Sequence, residues 1–376
     1  MVSGVNVKDY ITIPLDRMCQ TAHVPAAGCG RRMPSRKGQR PVRVEDVARR
    51  ARVSTATVSR ALNDHGPMAP ATRARVIRAA RALDYHPNWL ARGLRRLKTD
   101  TIALVLPDLE NPFFPTLVKG VERAVSARDW NVILGNTDED SGCEQRLVRT
   151  LVERKIDGLI LCPSGGSADY LVRYVERGLP IVAVNRTIAE AEIPSVTADS
   201  FQGAYAAARH LLGHGRSPLG LILGTPGVST TESRLAGCRQ AVRDLGLSAD
   251  SLMVSVGYGR TAEGYKAAVE CLERVPRPGA LFAFNNLMAE AALMAVHARG
   301  IRCPDEVALF GFDDFRSAAA LSPPLSVVEQ DPEGMGARSV AVLAEIIEAG
   351  RPNLLHTLIP TRLLIRASCG CAVGLR

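Results

Sequence analysis

The sequence predicts an all-α helix-turn-helix head joined to a two-lobed α/β body built on parallel sheets. Three observations carry that expectation. Residues 44–63 hold two short apolar stripes at helical spacing; positive charge is confined to the segment around them; and from Thr101 onward buried strand-like runs alternate with amphipathic helical ones.

The charge is the least ambiguous of the three. The 376 residues carry a formal net charge of +9, yet residues 31–100 hold 18 Lys/Arg against 5 Asp/Glu, which leaves 29 basic against 33 acidic residues elsewhere. Basicity confined to one segment is the footprint of a polyanion-binding head on a near-neutral body. A hydrophobic content of 46% is ample for sizeable cores and excludes disorder throughout, and the length suits two or three domains.

In chain order, residues 1–41 mix Gly, Pro, Thr and Arg without periodicity and end in RRMPSRKGQR, so a disordered basic extension is expected there. In VEDVARRARVSTATVSRALN, Val44, Val47 and Ala48, then Val53, Val58 and Leu62, recur at three- to five-residue spacings and mark the inner faces of two short helices. Ser54 is placed to cap the second helix, leaving Thr55, Ala56, Thr57, Ser59 and Arg60 at its leading turns. Compact side chains let a helix approach bases and phosphates closely, and an arginine can fork onto guanine or clamp a phosphate. Spacing alone fits equally an amphipathic hairpin in an unrelated core; the charge context favours a DNA-reading face.

Pro70 suits the first turn of a third helix through TRARVIRAARALDY, with Val76, Ile77, Ala80 and Leu83 as its apolar stripe. His86-Pro87 stops it, closing a helix-turn-helix domain over 42–86. The next stretch, NWLARGLRRLKTD, is short, basic and interrupted by Gly93, so a helix over the 87–100 linker is marginal alone and would fold on meeting DNA. From Thr101, TIALVLP, NVILGN, DGLILCP and PIVAVN alternate with helical segments, and a second set runs through LGLILG, ALFAFN and EVALFGFDD. Such alternation indicates right-handed βαβ units, and two similar sheets with crossing connections form a cleft that binds small molecules at strand carboxyl ends.

Nothing points to catalysis. GTPG at 224–227 lacks the Lys-Ser/Thr of a phosphate loop, PSGGS is not a nucleophile elbow, and the seven histidines are scattered. The nine cysteines lie mostly singly in apolar segments and read as reduced core residues; Cys369-Gly370-Cys371, the one close pair, reads as incidental rather than as a redox or metal site. No cofactor or metal is expected. No apolar run is long enough to cross a bilayer and the N-terminus lacks a signal-peptide core, so a cytoplasmic protein without membrane contact is expected.

Residues 42 to about 368 resemble the LacI/GalR family of bacterial transcription regulators. The resemblance rests on VEDVARRARVSTATVSRALN, DYHPNWLARGL, NPFF, NTDED, KIDGLILCPSGG, ESRLAGC, FNNLMA, PDEVALFGFDD and LSPPLSVVEQ, in that order over nearly the whole chain. It implies a helix-turn-helix head, a hinge helix and a body like the periplasmic sugar-binding proteins. Its effector-binding and dimerisation domain would span 101–368, with lobe 1 at about 101–200 and 328–350, lobe 2 at about 201–327 and 355–368, and a tail at 369–376.

The resemblance also implies roles. Ser54, Thr55, Ala56, Thr57, Ser59, Arg60 and Asn63 fall at DNA-contact positions, Leu94 where a hinge leucine wedges into the minor groove, and Ala91 one turn before it. Asn111, Phe113, Phe114, Asn185, Arg186, Arg234, Tyr258, Asn286 and Asp313 fall at effector-pocket positions. Two such chains would pair as a homodimer on a pseudo-palindromic operator, repressing transcription until a sugar or sugar derivative alters operator affinity. The alternatives are an activator or co-repressor-dependent member of the same family, or a stand-alone sugar-binding protein, which would need export and no basic head. No leucine heptad follows TRLLIRASCG, so a dimer is expected.

Several positions depart from the family pattern. Arg52 replaces the usual turn glycine, which forces a left-handed conformation costing about 1 kcal/mol or a local shift. Ala69 removes the usual serine cap of the third helix, and Gly93 replaces a hinge serine. In the cleft, Asn185 and Asn286 stand where aspartates are usual, and the motif Gly257-Tyr258-Gly259 lacks its usual aromatic position. Arginines kept while two carboxylates are lost would suit an anionic effector such as a sugar acid or sugar phosphate; an ordinary neutral sugar is the competing expectation.

Overall fold

The computed structural model describes residues 42–62, 67–85, 99–188 and 192–371. The chain divides into two compact units, Met1–Pro87 and Asn88–Arg376.

The first unit packs α1 (Val44–Ala51), α2 (Thr55–Leu62) and α3 (Pro70–Ala82) around one small core. Val47, Ala48, Ala51, Val58, Ala61, Val76, Ala79 and Ala80 are buried there, with Val44, Val53, Leu62 and Leu83 packed on the edge. The anticipated inner faces are therefore the observed ones. In α3 the inward stripe turns through Ala79 and Ala80, and Ile77 is only half-buried.

The second unit contains two six-stranded sheets of the same design. The first runs through β1 (Thr101–Leu106), β2 (Asn131–Asn136), β3 (Gly158–Leu161), β4 (Ile181–Val184), β5 (Ser195–Ala198) and β11 (His356–Ile359) in spatial order β11-β5-β4-β3-β1-β2. The second runs through β6 (Leu219–Leu223), β7 (Leu252–Val256), β8 (Ala280–Ala283), β9 (Ala308–Phe312), β10 (Ser326–Glu329) and β12 (Arg362–Leu364) in order β12-β10-β9-β8-β6-β7. Every pairing is parallel except β10 with β12. In each sheet the first strand lies between the second and third, so the direction of winding reverses beside it and opens a crevice at the strand carboxyl ends.

The helices of the body are α4 (Phe113–Ser126), α5 (Ser141–Glu153), α6 (Asp169–Glu176), α7 (Ser200–Gly213), α8 (Ser229–Asp244), α9 (Thr261–Leu272), α10 (Asn286–Ala298) and α11 (Pro332–Ala349). The central strands are buried on both faces, which is why they read as continuous apolar runs; the second lobe's core stacks Phe282, Phe284, Phe310 and Phe312.

The family resemblance places 355–368 in the second lobe, but β11 belongs to the first sheet. It covers the otherwise open edge of β5, where Ser195 N–H donates to the Leu355 carbonyl and Asp199 N–H to the Ile359 carbonyl. Conversely β10 lies in the second sheet, while α11 packs on the first. The chain thus passes between the sheets three times, at 198–200, 329–332 and 359–362.

Helix α11 is drawn onto α4 by two glycines. A Cβ at Gly120 would stand 2.0 Å from the Glu333 carbonyl oxygen, and one at Gly336 would stand 2.3 Å from the Leu117 carbonyl oxygen. This backbone contact matters to the cleft, because α4 begins with Phe113 and Phe114. Gly120→Val is expected to force the two helices apart and cost about 3 kcal/mol of body stability, read as a shift in the urea unfolding midpoint; an unchanged midpoint would show the contact to be dispensable.

Candidate nucleic-acid interface and effector cleft

The leading edge of α2 is assembled as anticipated. Ser54 Oγ accepts the Thr57 N–H at 3.1 Å and lies 2.9 Å from Thr57 Oγ1, so its hydroxyl caps the helix rather than standing open. Thr55, Ala56 and Arg60 are exposed, Thr57 and Ser59 are half-buried, and Val58 and Ala61 face the core. Arg52 takes the left-handed conformation at φ 54° and ψ 50°, while the Val53 N–H closes the helix end on the Ala48 carbonyl at 3.0 Å. Ala69 provides no side-chain cap to α3, as its chemistry dictates. Asn63, Ala91 and Leu94, with the hinge helix, lie outside the described residues.

The cleft opens between the two sheets and holds about 550 Å³ of empty space, counting its solvent-open mouth. Its walls come from strand carboxyl ends: Asp108 and Asn111 after β1, Glu139 after β2, Asn185 and Arg186 after β4, and across the gap Thr225 after β6, Tyr258 after β7, Asn285 after β8 and Asp313 after β9. Phe113, Phe114 and Arg234 complete it from helices. Of the nine anticipated cleft residues only Asn286 is absent from the lining. It is buried at 1% exposure, its Oδ1 accepting the Leu287 N–H and its Nδ2 lacking a partner among the described residues. Its neighbour Asn285 occupies the wall instead, because it caps α10 through the Met288 N–H at 2.8 Å and donates to the Gly259 carbonyl at 2.7 Å.

Four wall residues, Glu139, Asn185, Tyr258 and Asp313, have φ between 52° and 74° although none is glycine. Such backbone is sparsely populated by residues other than glycine, and here it falls in the lining of the cleft. Phe113 and Phe114 meet edge to face at 5.2 Å and form an apolar corner of the lining. Asn111 fixes them, its Oδ1 accepting the Phe113 N–H at 2.9 Å.

The arginines are held differently. Arg186 forks onto Glu139 at 2.7 and 2.8 Å and also donates to the Pro163 carbonyl at 2.8 Å, so its charge is neutralised inside its own lobe. Among the described residues no carboxylate lies at bonding distance from Arg234, which hydrogen-bonds the Phe284 carbonyl, lies 3.4 Å from Ser200 Oγ and sits 3.5 Å above the Phe312 ring. Burial pushes its pKa down to about 10 against the opposing field of Asp313. Burial in turn raises the Asp313 pKa, which Arg234 and the hydrogen bond from Gln330 partly offset. Glu139, Asp108, Asn285 and Gln330 were not among the anticipated residues. NTDED flags an acidic cluster, but nothing local says that Glu139 reaches Arg186 across 47 positions. At the rim the lobes touch through Thr187 N–H on Ser229 Oγ at 3.0 Å and Arg260 on the Asp138 carbonyl at 3.1 Å.

Residues 99–367 match the family described as periplasmic binding proteins and sugar binding domain of the LacI family, and residues 43–88 match the bacterial regulatory proteins of the lacI family. The chain belongs to the LacI family. It is similar to the ribose operon repressor of Halalkalibacterium halodurans, with 34% identity over 323 residues, 86% of this chain and 96% of that one. It is 29% identical over 336 residues to the repressor CytR of Escherichia coli K12, covering 89% and 98%. Among solved structures, the CelR–cellobiose complex matches at a TM-score of 0.67 and 32% identity over 88% of this chain and 100% of that one. The operator-bound Lac repressor dimer shares the fold at a TM-score of 0.79 and 22% identity, covering 88% and 99%. LacI-family relatives of this kind are transcriptional regulators, not enzymes, and this chain is a DNA-binding transcriptional regulator with a sugar-binding type of effector domain. Among the described residues no helix is long and apolar enough to cross a membrane.

Two substitutions test this geometry. Arg52→Gly is expected to stabilise the head by about 1 kcal/mol, seen as a higher melting temperature, because glycine takes the left-handed turn without penalty. Glu139→Gln leaves the guanidinium of Arg186 without its counter-charge and is expected to cost about 3 kcal/mol in urea unfolding, near the low end for a broken buried pair because both partners keep some solvent. A wild-type midpoint in Glu139→Gln would show the pair to be idle.

Proposed function

We propose that this LacI-family regulator acts in the cytoplasm as a homodimeric repressor of a pseudo-palindromic operator, gated by a neutral sugar bound in the cleft. The exposed edge formed by Thr55, Ala56 and Arg60, with Thr57, Ser59, Asn63 and the hinge residues Ala91 and Leu94, reads the half-site. The cleft residues Asn111, Phe113, Phe114, Asn185, Arg186, Arg234, Tyr258 and Asp313 contact the effector, with Asn285 in the part expected of Asn286.

The observation that carries the choice of effector is the charge of the wall. Glu139 cancels Arg186, which leaves Asp108 and Asp313 against Arg234. A sugar acid or phosphate would meet a wall without surplus positive charge, and one of its two arginines is already taken. Carboxylate, amide and guanidinium groups over an aromatic face instead suit hydroxyl groups and the apolar side of a sugar ring. The ligands of relatives agree with this class: cellobiose in the CelR complex and ribose in the LacI-family regulator from Enterococcus faecium. The lobes, touching at the rim, would transmit occupancy to the head as a change in operator affinity.

Two measurements test the reading. Full-length protein is expected to bind its operator at least about 100-fold more tightly than a truncated chain beginning at Thr101, and equal affinities would refute DNA reading by the head. Calorimetry against neutral pentoses, hexoses and disaccharides, beside their phosphorylated and acid forms, is expected to show binding only for neutral members; tighter binding of an anionic form would overturn the charge argument.

A further inference from the structure

The turn that closes the second lobe brings together three side chains that the regulatory reading does not use. Ser368 anchors this turn: its N–H donates to the Pro324 carbonyl at 2.9 Å, its Oγ accepts the Ser326 N–H at 2.8 Å and donates to the Leu309 carbonyl at 2.7 Å. Cys369 follows, 1% exposed, with its thiol 3.4 Å from the Arg366 carbonyl. Gly370 then takes φ 77°, a conformation that turns the chain back sharply, and Cys371 returns over α7 with its Sγ 3.2 Å from His210 Nε2. The two sulfurs and a ring nitrogen of His210 all lie within 4.8 Å of one another. His210 is itself positioned, its ring edge-on to His214 at 4.6 Å and 6.0 Å from Phe310.

We propose that Cys369, Cys371 and His210 form a binding site for a soft divalent cation, of which Zn²⁺ is the fitting one. Zinc holds thiolate at about 2.3 Å and imidazole at about 2.0–2.1 Å in a tetrahedron, so its ligand atoms stand roughly 3.5–4 Å apart, a spacing this cluster approaches with only small side-chain motion. Two thiolates balance the dication, and sulfur with imidazole excludes Ca²⁺ and Mg²⁺, which require oxygen. Burial and the neighbouring Cys369 raise the Cys371 pKa, with the Arg216 guanidinium opposing them, so an ion bound there displaces the thiol proton. Cys371 is only half-buried, which gives the ion an entry path and leaves the fourth position to water. From sequence the two cysteines of the C-terminal turn read as incidental; the third ligand comes from a helix 161 residues before Cys371. Metal bound there would pin the turn onto α7.

Titration of reduced, metal-free full-length protein with Co²⁺ tests the site. The expected result is one Co²⁺ per chain, with thiolate-to-metal charge-transfer absorption and intense tetrahedral d–d bands that Zn²⁺ abolishes, together with a Zn²⁺-dependent rise in melting temperature. Cys371→Ser and His210→Gln are each expected to weaken Co²⁺ binding on the order of 100-fold, while Cys143→Ser, remote from the turn, leaves it unchanged. Absence of charge transfer in the wild-type protein overturns the proposal, and that titration decides even if a variant fails to fold. Undiminished affinity in both folded variants, or a Cys369–Cys371 disulfide that persists in mild reductant and excludes cobalt, overturns it equally.

Discussion

The body of this regulator depends on the three passages of its chain between two sheets of like order. Because β10 feeds α11 into the first lobe and β11 returns before β12 re-enters the second, neither lobe is a continuous stretch of sequence. Each passage is held by hydrogen bonds at its ends. Asp199 caps α7 through the Gln202 N–H at 3.0 Å while its carbonyl accepts from Thr361 Oγ1 at 3.3 Å, so the first and third passages are tied together. Gln330, in the second passage, donates to Asp313 on the cleft wall. Two lobes joined by short, cross-linked segments have the architecture of a hinge, and Gln330 ties the second segment to the cleft wall.

The same arrangement underlies the proposal of a neutral effector for a cleft that carries two arginines. Each arginine is engaged within its own lobe, Arg186 by the Glu139 carboxylate and the Pro163 carbonyl, Arg234 by the Phe284 carbonyl and the Phe312 ring, so that only Arg186 is neutralised. A cation neutralised within its own lobe gives up little attraction to a ligand, because rearranging a forked ion pair would cost the interactions already made. What remains for recognition is a wall of oriented hydrogen-bonding groups over Phe113 and Phe114. The left-handed backbone at Glu139, Asn185, Tyr258 and Asp313 falls in that wall. Four such residues at one site fit a backbone shaped for binding rather than for ease of folding.

The head was legible almost completely from local pattern. Val47, Ala48, Val58 and Val76 repeat at helical spacing, and the core they form is the observed one; the left-handed turn at Arg52 and the cap at Ser54 are likewise consequences of neighbouring residues. The apolar central strands of the body were legible for the same reason. Strands β5, β7, β10, β11 and β12 were not singled out, because SVTA, LMVSV, SVVE, HTLI and RLL mix polar with apolar residues and no continuous apolar run marks them. Eight of nine anticipated cleft residues line the wall, and the exception, Asn286, shows the limit of motif position. One step along a helix cap turns a side chain from the cleft to the interior.

By itself the sequence determined what depends on near neighbours and on order along the chain: a basic three-helix head, alternating strands and helices, and the family to which their motifs belong. Only the tertiary structure decided what depends on distant residues meeting. It joined Glu139 to Arg186, Gln330 to Asp313, β11 to β5 and His210 to Cys371, pairs separated by 17 to 161 positions. Periodicity records which face of an element is buried, but it carries no information about which charged or polar group will stand opposite. That choice sets the charge of the cleft, and with it the kind of molecule the regulator answers to.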